Sequence, residues 1–404
     1  MVIGIIGGGA SGMCAALAAA ENEKVQVVLF ERQARVGKKL LSTGNGRCNL
    51  TNKNISMDRY HGDDANFAQA ALTMFPVSST LDWFSKLGLM TVEESTGRVY
   101  PYSDQANSVV DVLRFALNKP NIVVKTGCEV MKLRKMNEGF AVTTQEEEFL
   151  CDKVIVACGG LAGTKVGGGM AGYKLLKSMG HQVTRLRPSL VQLKSSWHGC
   201  TALKGVRANC RAQILRDDDA VAESTGELQF TEYGLSGPVI FEVSRDVCQT
   251  TGIWQCRLDF LPEAAERDLR EMLIARKKMP ILGEDLLVGI LHNRLGRVLA
   301  SAAGISGQVN ADAVTDGQIA ELCRLIKSLE VQITEPMGMD CAQVTAGGVV
   351  TGEFDPHTME SRLMSGLYAC GEVLDIDGDC GGYNLQWAWS SGMVAGRHAG
   401  EVLV

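Results

Sequence analysis

The most constraining feature of this sequence is a glycine pattern near its N-terminus. The apolar run Val2–Ile6 has the composition of a buried parallel strand, and the spacing G-x-G-x-x-G follows it at Gly7, Gly9 and Gly12. In this motif the first glycine permits a tight turn and the second lets the backbone approach a phosphate. The third lets the next helix pack close to the strand. Because the first amides of that helix favour an anion, the pattern predicts a pyrophosphate site.

An acidic residue after the next predicted strand extends this site. The run Val25–Phe30 is followed by Glu31, 19 residues after Gly12. A carboxylate at this place binds ribose hydroxyls in dinucleotide-binding folds. Residues 1–20 carry no charge, but they lack a basic n-region and are interrupted by glycines, which disfavours a signal peptide or a membrane span. The elements in this order therefore predict a dinucleotide site.

A second glycine-rich region lies near the C-terminus. Leu367–Cys370 predicts a strand that ends at Gly371-Glu372. Gly381-Gly382 precedes a pattern typical of an amphipathic helix over residues 384–401. The N-terminal segment is suited to a pyrophosphate, and this segment is suited to the other end of the same ligand. Together they predict one long dinucleotide, FAD, held by both ends of the chain.

The segment that follows Glu31 has an unusual charge. Residues 32–57 contain six basic side chains and no acidic one, and they include the small polar run Ser42–Asn49. Such a composition is typical of a loop that wraps a ligand, so we expect ligand contact rather than a solvated basic loop. The charges of Lys38, Lys39 and Arg47 are suited to the FAD pyrophosphate, or alternatively to an anionic electron donor or substrate.

Composition bounds the class of protein. A chain of 404 residues usually forms two or three domains, and a net charge of −6 argues against a general nucleic-acid surface. The thirteen cysteines form no C-x-x-C pair, and without an export signal they predict reduced thiols in a cytoplasmic protein. His198, Cys200 and Cys210 have no matching second pair, so no metal site is predicted. A small-molecule substrate is expected, with neither a nucleic acid nor a membrane as partner.

The stretch from 66 to 158 mixes helices and short strands. Residues 66–90 and 104–118 predict helices, and residues 121–126 predict a strand. The runs 140–144 and 149–158 flank three glutamates and predict a hairpin.

A second G-x-G-x-x-G begins at Gly167. No strand immediately precedes it, and the next acidic residue is distant, at Asp217. We therefore predict a loop that opens a helix at residues 173–179 rather than an independent nicotinamide site.

The character of the chain changes between about 187 and 335. Residues 190–260 alternate short polar and apolar runs, as in a small β-barrel, whereas residues 263–328 predict helices. Residues 286–299 predict one apolar helix face, and Thr315–Gln318 predicts a capping box. The fold class is therefore α/β, a Rossmann-like FAD-binding core with an inserted β-barrel and helical subdomain. The predicted boundaries are 1–187 and 335–404 for the core, 188–262 and 329–334 for the barrel, and 263–328 for the helical insert.

Several segments resemble one known family over almost the whole chain. They are the glycine motif at 7–12, Ser42–Asn49, Phe230–Pro238, Thr345–Val349 and Gly381–Trp389. The family is the bacterial FAD-dependent HI0933-like family, which includes aminoacetone oxidases and dehydro-bile-acid reductases. The resemblance implies a flavoprotein core of the two-dinucleotide-binding-domain type with an inserted barrel and helical piece. The chain departs from the family at Glu232, where many relatives have histidine, so a role of that histidine does not carry over.

The resemblance also implies which residues contact FAD. One group holds the adenosine side, with Val130 beside adenine, a second lines the flavin, and a third closes the site. The first group is Gly7, Gly9, Ala10, Ser11, Gly12, Glu31, Arg32 and Val130; the second is Ser42, Gly46, Arg47 and Asn49; the third is Gly160, Gly371, Glu372, Asn384, Leu385 and Gln386; Lys39 of the basic segment completes the predicted cofactor site.

These features predict an FAD-dependent oxidoreductase that transfers hydride between flavin N5 and a small organic substrate. The leading prediction is a reductase of a C=C bond of enone type, with NAD(P)H as a transient electron donor. The alternatives are an amine oxidase of aminoacetone type that uses oxygen, and a flavin-bound redox sensor or interaction protein without turnover. Tyr383, Tyr173, Cys48 and Glu232 are polar candidates near the motifs, but the sequence identifies no catalytic residue.

Overall fold

A computed structural model describes residues 1–401, which divide into two compact units. The first unit comprises Met1–Arg187 and the segment from Gln343 onward, and the second comprises Pro188–Ala342. Each unit has its own buried apolar core, and within residues 1–401 the two cores share no residue. The sequence places the return to the first unit at 335, but strand pairing in the second unit continues through Pro336. The end of the predicted core segment, 402–404, lies outside the described residues.

Most strands and helices of the structure are short, apart from the strands Arg207–Arg216 and Asp219–Thr231 and the helix Tyr383–Gly400. In chain order the strands are β1 Val2–Ile6, β2 Gln26–Glu31, β3 Thr51–Asn52, β4 Tyr60–His61, β5 Thr91–Glu93, β6 Arg98–Pro101, β7 Ile122–Thr126, β8 Val130–Lys135, β9 Phe140–Thr144, β10 Glu148–Cys151, β11 Lys153–Val156, β12 Arg187–Ser189, β13 Leu193–Ser195, β14 Arg207–Arg216, β15 Asp219–Thr231, β16 Gly234–Ser236, β17 Trp254–Asp259, β18 Leu329–Pro336, β19 Val344–Ala346, β20 Leu367–Ala369 and β21 Asp377–Gly378. The helices are α1 Ala10–Ala19, α2 Phe67–Met74, α3 Val77–Lys86, α4 Ala106–Ala116, α5 Ala171–Ser178, α6 Gly199–Ala202, α7 Pro238–Gln249, α8 Glu266–Arg276, α9 Asn293–Ala302, α10 Asp316–Lys327 and α11 Tyr383–Gly400.

The first unit is built on a parallel sheet with the strand order β20-β11-β1-β2-β7. The chain winds from β1 through β2 to β7 on one side and continues through β11 to β20 on the other. The strand order therefore reverses between β1 and β11. In open α/β sheets, ligands bind outside the carboxyl ends of the strands at such a point. The predicted Rossmann-like core is confirmed.

Helix α11 packs against α1 through glycines that recur every four residues. A Cβ atom built on Gly392 would lie 2.4 Å from the carbonyl oxygen of Ser11, and one on Gly396 would lie 2.3 Å from that of Ala15. The two helices therefore touch backbone to backbone and run in the same direction. Helix α11 begins at Tyr383, nine residues before Gly392. Ser11, which faces Gly392, lies one residue after the start of α1 at Ala10, so the N-terminus of α11 extends about 12 Å beyond that of α1, at 1.5 Å per residue.

The predicted hairpin is present as β9 and β10, but the run 149–158 contains two strands, so the prediction of a single second strand is wrong. Strand β10 joins β9 and β8 in an antiparallel sheet, whereas β11 lies in the central parallel sheet. Asp152 makes the corner between them, because its carboxylate accepts the Val2 amide at 2.6 Å and its own amide donates to the Val2 carbonyl at 2.8 Å. The predicted helical region 66–90 is likewise divided, at Pro76, which lacks the amide that a helix interior needs.

The second unit contains a closed barrel with the strand order β13-β16-β15-β14-β17-β18, which confirms the predicted barrel. Helix α7 lies inside the region 190–260, for which the sequence predicts only strands and turns. Pro238 stands at its first turn, where a missing amide is tolerated. Its buried residues Val239, Ile240, Val243 and Val247 have helical spacing and join the core of this unit.

The segment 263–328 forms α8, α9 and α10, as the sequence predicts. Thr315 and Gln318 form the predicted capping box of α10. The prediction of one apolar helix face over 286–299 is wrong, because α9 begins only at Asn293, capped by His292. Leu286 and Leu287 precede this helix and are buried through a turn rather than through helical periodicity.

Candidate functional site

The loop after β1 has the geometry that the glycine spacing predicts. Gly7 has a φ of 112°, a conformation that favours glycine, and a Cβ on Gly12 would lie 1.8 Å from the carbonyl oxygen of Gly7. A Cβ on Gly9 would instead meet no atom of the described residues within 4 Å. The loop thus packs tightly against its own helix and leaves open space at Gly9. This arrangement fits a phosphate at the start of α1, beside Ala10 and Ser11.

Glu31 ends β2 beside this loop. Its Oε2 accepts the Gly8 amide at 2.8 Å and its Oε1 accepts the Gln33 amide at 2.7 Å. Each carboxylate oxygen has a further lone pair available for a ribose hydroxyl. The Cys128 amide donates to the Glu31 carbonyl at 2.9 Å, which brings the segment before Val130 to the same place. The structure thus assembles the residues predicted for the adenosine side.

The second glycine triplet lies next to the first site. The Arg32 guanidinium donates to the carbonyls of Gly167 and Gly168 at 2.5 and 3.0 Å. In the described chain no β-strand leads directly into the triplet, which opens α5 at Ala171. Because Arg32 directly follows Glu31, the second glycine triplet lines the same site as the first. A Cβ on Gly167 would meet no atom of residues 1–401 within 4 Å, so space is open here as well.

A polar network joins four distant segments at the carboxyl ends of β11 and β20. Lys39 Nζ lies 2.7 Å from Glu372 Oε2, and Glu372 Oε1 accepts the Thr345 amide at 2.9 Å. Thr345 Oγ1 in turn accepts the Ala162 amide at 2.8 Å. A Cβ on Gly160 would lie 2.4 Å from Thr345 Oγ1, so only glycine fits there. Thr345 was absent from the predicted site residues, although its segment belongs to the motifs that carry the resemblance.

The loop predicted to line the flavin has an unusual backbone. Gly44, Asn45, Gly46 and Cys48 all have φ between 56° and 86°. A Cβ on Gly46 would meet no atom within 4 Å in the described part of the chain, which again leaves open space for a ligand. The amide oxygen of Asn49 is buried without a hydrogen-bond partner among the described residues. Since buried polar atoms are normally hydrogen-bonded, this oxygen fits a ligand that donates a hydrogen bond.

The basic charges of this segment are compensated within the protein. Arg47 forms ion pairs with Glu94 and Asp104 and stacks over the ring of Tyr100, with 4.0 Å to its centroid. Hydrogen bonds to these two carboxylates raise the pKa of Arg47. Lys39 is paired with Glu372, as described above. Both residues therefore have acidic partners within the protein, and their contact with the FAD pyrophosphate, or with an anionic donor or substrate, stays a prediction.

Lys38 and Ser42 of this segment also have hydrogen-bond partners within the protein. Lys38 lies at the surface and donates to Gln33 at 3.0 Å. The Ser42 hydroxyl donates to the Lys39 carbonyl at 2.7 Å, so it stabilises the turn in which it lies.

The residues at the start of α11 use their side chains within the protein. Asn384 accepts the Gly378 amide at 2.8 Å and donates to the Gly378 carbonyl at 2.6 Å. Gln386 is fully buried and bonds to Thr51 Oγ1 at 2.6 Å and to Thr80 Oγ1 at 2.8 Å. Contact between this segment, including Leu385, and a cofactor would therefore come from backbone amides of the first helical turn.

The backbone amide and carbonyl of Gly371 are also hydrogen-bonded within the protein. Its amide donates to Ser391 Oγ at 2.9 Å, and its carbonyl accepts Trp387 Nε1 at 3.1 Å. Both Trp387 and Trp389 are core residues, exposed by 1% and 0%.

Of the polar candidates, two have reactivity suppressed by burial. Burial raises the pKa of the Cys48 thiol to about 12, so it is not a thiolate at neutral pH. Burial, with Glu372 nearby, raises the pKa of Tyr173 and keeps its hydroxyl protonated. Tyr383 is also buried. Glu232 lies in the second unit, is exposed, and has its pKa lowered by a hydrogen bond from Lys204.

A histidine that the sequence analysis did not single out lies near the start of α11. His61 Nε2 is 2.7 Å from Asp379 Oδ1, and the second oxygen of Asp379 accepts Arg59 at 3.1 Å. No spacing rule connects residues 318 positions apart in the chain. Only the pairing of β4 with β21 brings them together.

Within residues 1–401, no helix combines the length and the apolar character needed to cross a lipid bilayer. The same part of the chain holds no group of three or more His, Cys, Asp or Glu side chains arranged to bind a metal ion.

Comparisons with known proteins agree with this geometry. The model of the HI0933-like protein Rossmann domain matches residues 1–398. A 3-dehydro-bile acid delta(4,6)-reductase of Clostridium scindens is 42% identical over 407 residues, with 99% of each chain covered. A ribosomal RNA dihydrouridine synthase of Escherichia coli is 31% identical over 399 residues, with 96% of this chain and 95% of the relative covered.

Among solved structures, a 3-ketosteroid delta1-dehydrogenase from Sterolibacterium denitrificans has a similar fold. The TM-score is 0.50 at 12% identity, with 98% of this chain and 99% of that chain covered. The predicted family is confirmed: the chain belongs to the HI0933-like family.

Proposed function

We propose that this protein, an FAD-dependent oxidoreductase, uses NAD(P)H to reduce a C=C bond conjugated to a carbonyl in a small organic molecule. The observation that carries the proposal is the relative named as a dehydro-bile acid delta(4,6)-reductase, at 42% identity over 99% of both chains. That name describes the reduction of ring double bonds in a molecule with a 3-oxo group. The reaction type is the one that the sequence predicts.

The second relative has a different substrate but a related reaction. Dihydrouridine is uridine whose ring C=C bond, conjugated to a carbonyl, has been reduced, so both relatives are named for the reduction of such a bond. The shared reaction type supports C=C reduction more strongly than either name alone. The net charge of −6 favours a small molecule over RNA as the substrate of this chain.

The site geometry supports a specific placement of FAD. The backbone between Gly7 and Gly12 would hold the pyrophosphate, Glu31 the ribose, and Val130 the adenine. Gly46 and the unsatisfied amide oxygen of Asn49 would face the flavin. The offset of about 12 Å between the N-termini of α1 and α11 matches a ligand that extends from one helix to the other.

Bound FAD supplies the hydride, and the protein contributes position and charge. The network of Lys39, Glu372 and Thr345 ties the loops around the site to the ends of the central strands. The pairing of Arg47 with Glu94 and Asp104 fixes the flavin-lining loop at its far end. Both features hold loop backbone in place, so the protein orients the cofactor through short loops anchored on rigid strands.

Half-reactions measured without oxygen test this proposal. The yellow holoenzyme is mixed with NADH or NADPH, and the bleached protein is then given a 3-oxo-4-ene steroid acid, with the saturated ketone as the control. Bleaching by the nicotinamide and recolouring by the enone alone are expected. Bleaching by an amine, with recolouring by oxygen, would instead indicate an oxidase. Recolouring only by unmodified ribosomal RNA would indicate a dihydrouridine synthase, and absence of any bleaching would indicate a sensor.

A further inference from the structure

Reduction of a conjugated C=C bond requires a proton as well as a hydride. The hydride adds to the carbon distant from the carbonyl, which leaves an enolate whose neighbouring carbon must be protonated. None of the polar candidates from the sequence is suited to this step. Tyr173, Tyr383 and Cys48 are buried within the protein, and Glu232 is paired with Lys204 in the second unit.

The cluster of His61, Asp379 and Arg59 has the arrangement of an oriented acid. Asp379 accepts His61 Nε2 at 2.7 Å on one carboxylate oxygen and Arg59 at 3.1 Å on the other. The carboxylate is largely shielded, with 18% of its side chain exposed, whereas 29% of the His61 side chain is exposed. A histidine held through one ring nitrogen by a carboxylate presents its other nitrogen to a substrate.

The position of this cluster links it to the proposed flavin end of the site. Strands β4 and β21 pair so that His61 lies opposite Asp377 and Tyr60 opposite Gly378. The Asn384 side chain donates to the Asp379 carbonyl at 3.2 Å, and the Tyr60 hydroxyl donates to the Tyr383 carbonyl at 3.1 Å. The cluster is therefore fastened to the first turn of α11, the turn proposed to meet the flavin.

We propose that His61 is the proton donor of the reductase, an inference that rests on the proposed C=C reduction. Protonated His61 keeps its Nε2–H on Asp379 and gives the proton of Nδ1 to the enolate carbon. The hydride comes from FAD reduced by NAD(P)H, so one hydride and one proton are added and the C=C bond becomes a single bond. Asp379 stays a carboxylate, and solvent returns the proton to the neutral imidazole through its exposed edge.

Asp379 and Arg59 act on the substrate only through His61 and are positioning residues. The carboxylate fixes the ring orientation, and Arg59 holds the carboxylate itself. The alternative is a surface ion cluster that merely joins β4 to β21. That alternative predicts an effect on folding or FAD content, without selectivity between electron acceptors.

The two half-reactions of the holoenzyme separate these roles. The variants are His61→Gln and Asp379→Asn. The control is His357→Gln, which removes an exposed histidine of the same unit and so reports the effect of losing a surface imidazole. Each reduced holoenzyme is reoxidised without oxygen by the enone, or by ferricyanide, which accepts electrons without protonation of carbon.

His61→Gln is expected to slow the enone reaction at least about 100-fold, with bleaching by NAD(P)H and reoxidation by ferricyanide unchanged. Asp379→Asn is expected to slow the enone reaction less, and His357→Gln should match the wild type with both acceptors. An enone reaction of His61→Gln within about threefold of the wild type would overturn the proposal, as would equal slowing with ferricyanide. If wild-type holoenzyme is not reoxidised by any enone, the proposed function fails instead.

A measurement independent of turnover is the NMR resonance of the His61 imidazole, assigned by its loss in His61→Gln. It should shift when the holoenzyme FAD is reduced, while the His357 resonance stays in place. If the His61 resonance does not shift on reduction, this residue lies away from the flavin, and its assignment as the proton donor is overturned.

Discussion

The carboxylate of Glu31 is held by the protein's own backbone, in addition to its proposed contact with ribose. The amides of Gly8 and Gln33 point one at each oxygen, so the side chain has a single orientation. This orientation costs no further ordering when a ligand binds, which is the general advantage of a preorganised site. The same two bonds mean that Glu31→Ala would disturb the glycine loop as well as the ribose contact.

Glu31→Gln is therefore the sharper test of the ribose assignment. The amide side chain keeps the shape, but it loses the charge and turns an NH₂ group toward one of the two backbone amides. We expect FAD affinity to fall by about 1.5–3 kcal/mol, the usual range for a hydrogen bond to a charged group. Titration of apoprotein with FAD measures this change. Glu23→Gln, at an exposed position beyond α1, should leave the affinity unchanged; an unchanged affinity for Glu31→Gln would contradict the assignment.

His181 has a structural role with a pH-dependent consequence. Its Nδ1 lies 2.8 Å from Glu353 Oε2 and its Nε2 lies 2.9 Å from Ser361 Oγ, and its ring stacks on Phe354. The side chain is fully shielded from solvent. Burial lowers the pKa of His181, although the hydrogen bond to Glu353 opposes this shift. The folded protein thus holds the imidazole neutral where an unfolded chain would protonate it.

This shift predicts a loss of stability in mild acid. Above the unfolded-state pKa of about 6.5 both states are neutral at His181, and its titration has no effect. As the pH falls below that value, the unfolded state binds a proton that the folded state does not, so the free energy of unfolding decreases by up to about 1.4 kcal/mol per pH unit. His181→Gln should be less stable than the wild type at neutral pH but should lose less stability on acidification. Urea unfolding across this range measures the difference, with His357→Gln as a control that follows the wild type; parallel curves for His181→Gln would refute the prediction.

At the residue scale, local spacing decides what the sequence can predict. Gly7, Gly12 and Glu31 lie within one βαβ unit, and the dinucleotide-binding motif relates residues that are close together in the sequence. Lys39 and Glu372 are 333 positions apart, and neither spacing nor charge pattern pairs them. The same holds for His61 with Asp379, so this cluster beside α11 could be found only in the folded chain.

At the scale of elements, the contact between α1 and α11 is a close helix packing made possible by glycine. Gly392, Gly396 and Gly400 face Ser11, Ala15 and Ala19, all at four-residue spacing. Small residues on both helices let the backbones approach, and the approach fixes where the N-terminus of α11 stands relative to the glycine loop. The stacked pair therefore positions both ends of the proposed cofactor.

Gly396→Ala should destabilise the protein. A helical alanine is favoured over glycine by about 1 kcal/mol when exposed, but here its Cβ would lie 2.3 Å from the Ala15 carbonyl oxygen, so the helices must separate. Overpacking of this kind costs about 1–3 kcal/mol. Gly317→Ala in α10 is the matched control, because among the described residues a Cβ there meets nothing closer than 3.9 Å and the position is exposed. Thermal unfolding should show a lower Tm for Gly396→Ala only, and equal Tm values for both variants would contradict the close packing.

Elements with strong local signals were predictable, and elements set by tertiary context were not. Strand β1 occupies the predicted residues because a short apolar run before a glycine triplet has few alternatives. The division of 149–158 into β10 and β11 depends on Asp152 pairing with Val2, which is a tertiary contact. Helix α7 was missed because its turn-rich surroundings in 190–260 resemble those of a barrel strand.

At the scale of the whole molecule, the described residues form two buried apolar cores that share no residue. The first is formed by residues up to Leu176 and from Val349 onward, and the second by residues between Leu193 and Ile333. The change in composition near 187 revealed the start of the second unit. Its end was less visible, because β18 runs on through Pro336 without a change in pattern.

This division predicts that FAD binding survives removal of the second unit. A variant that joins Arg187 to Gln343 through a short flexible linker lacks residues 188–342 but keeps every residue proposed to contact FAD. Because the first core, as far as the described chain extends, contains no residue of the second unit, the shortened chain retains the buried apolar contacts within its own core.

The shortened chain should purify with one FAD per chain and should show a cooperative thermal transition. It should also be bleached by NAD(P)H. The isolated segment 188–342, with its closed barrel, is the control and should fold without binding FAD. A folded but colourless shortened chain would show that FAD needs contacts beyond the residues assigned here.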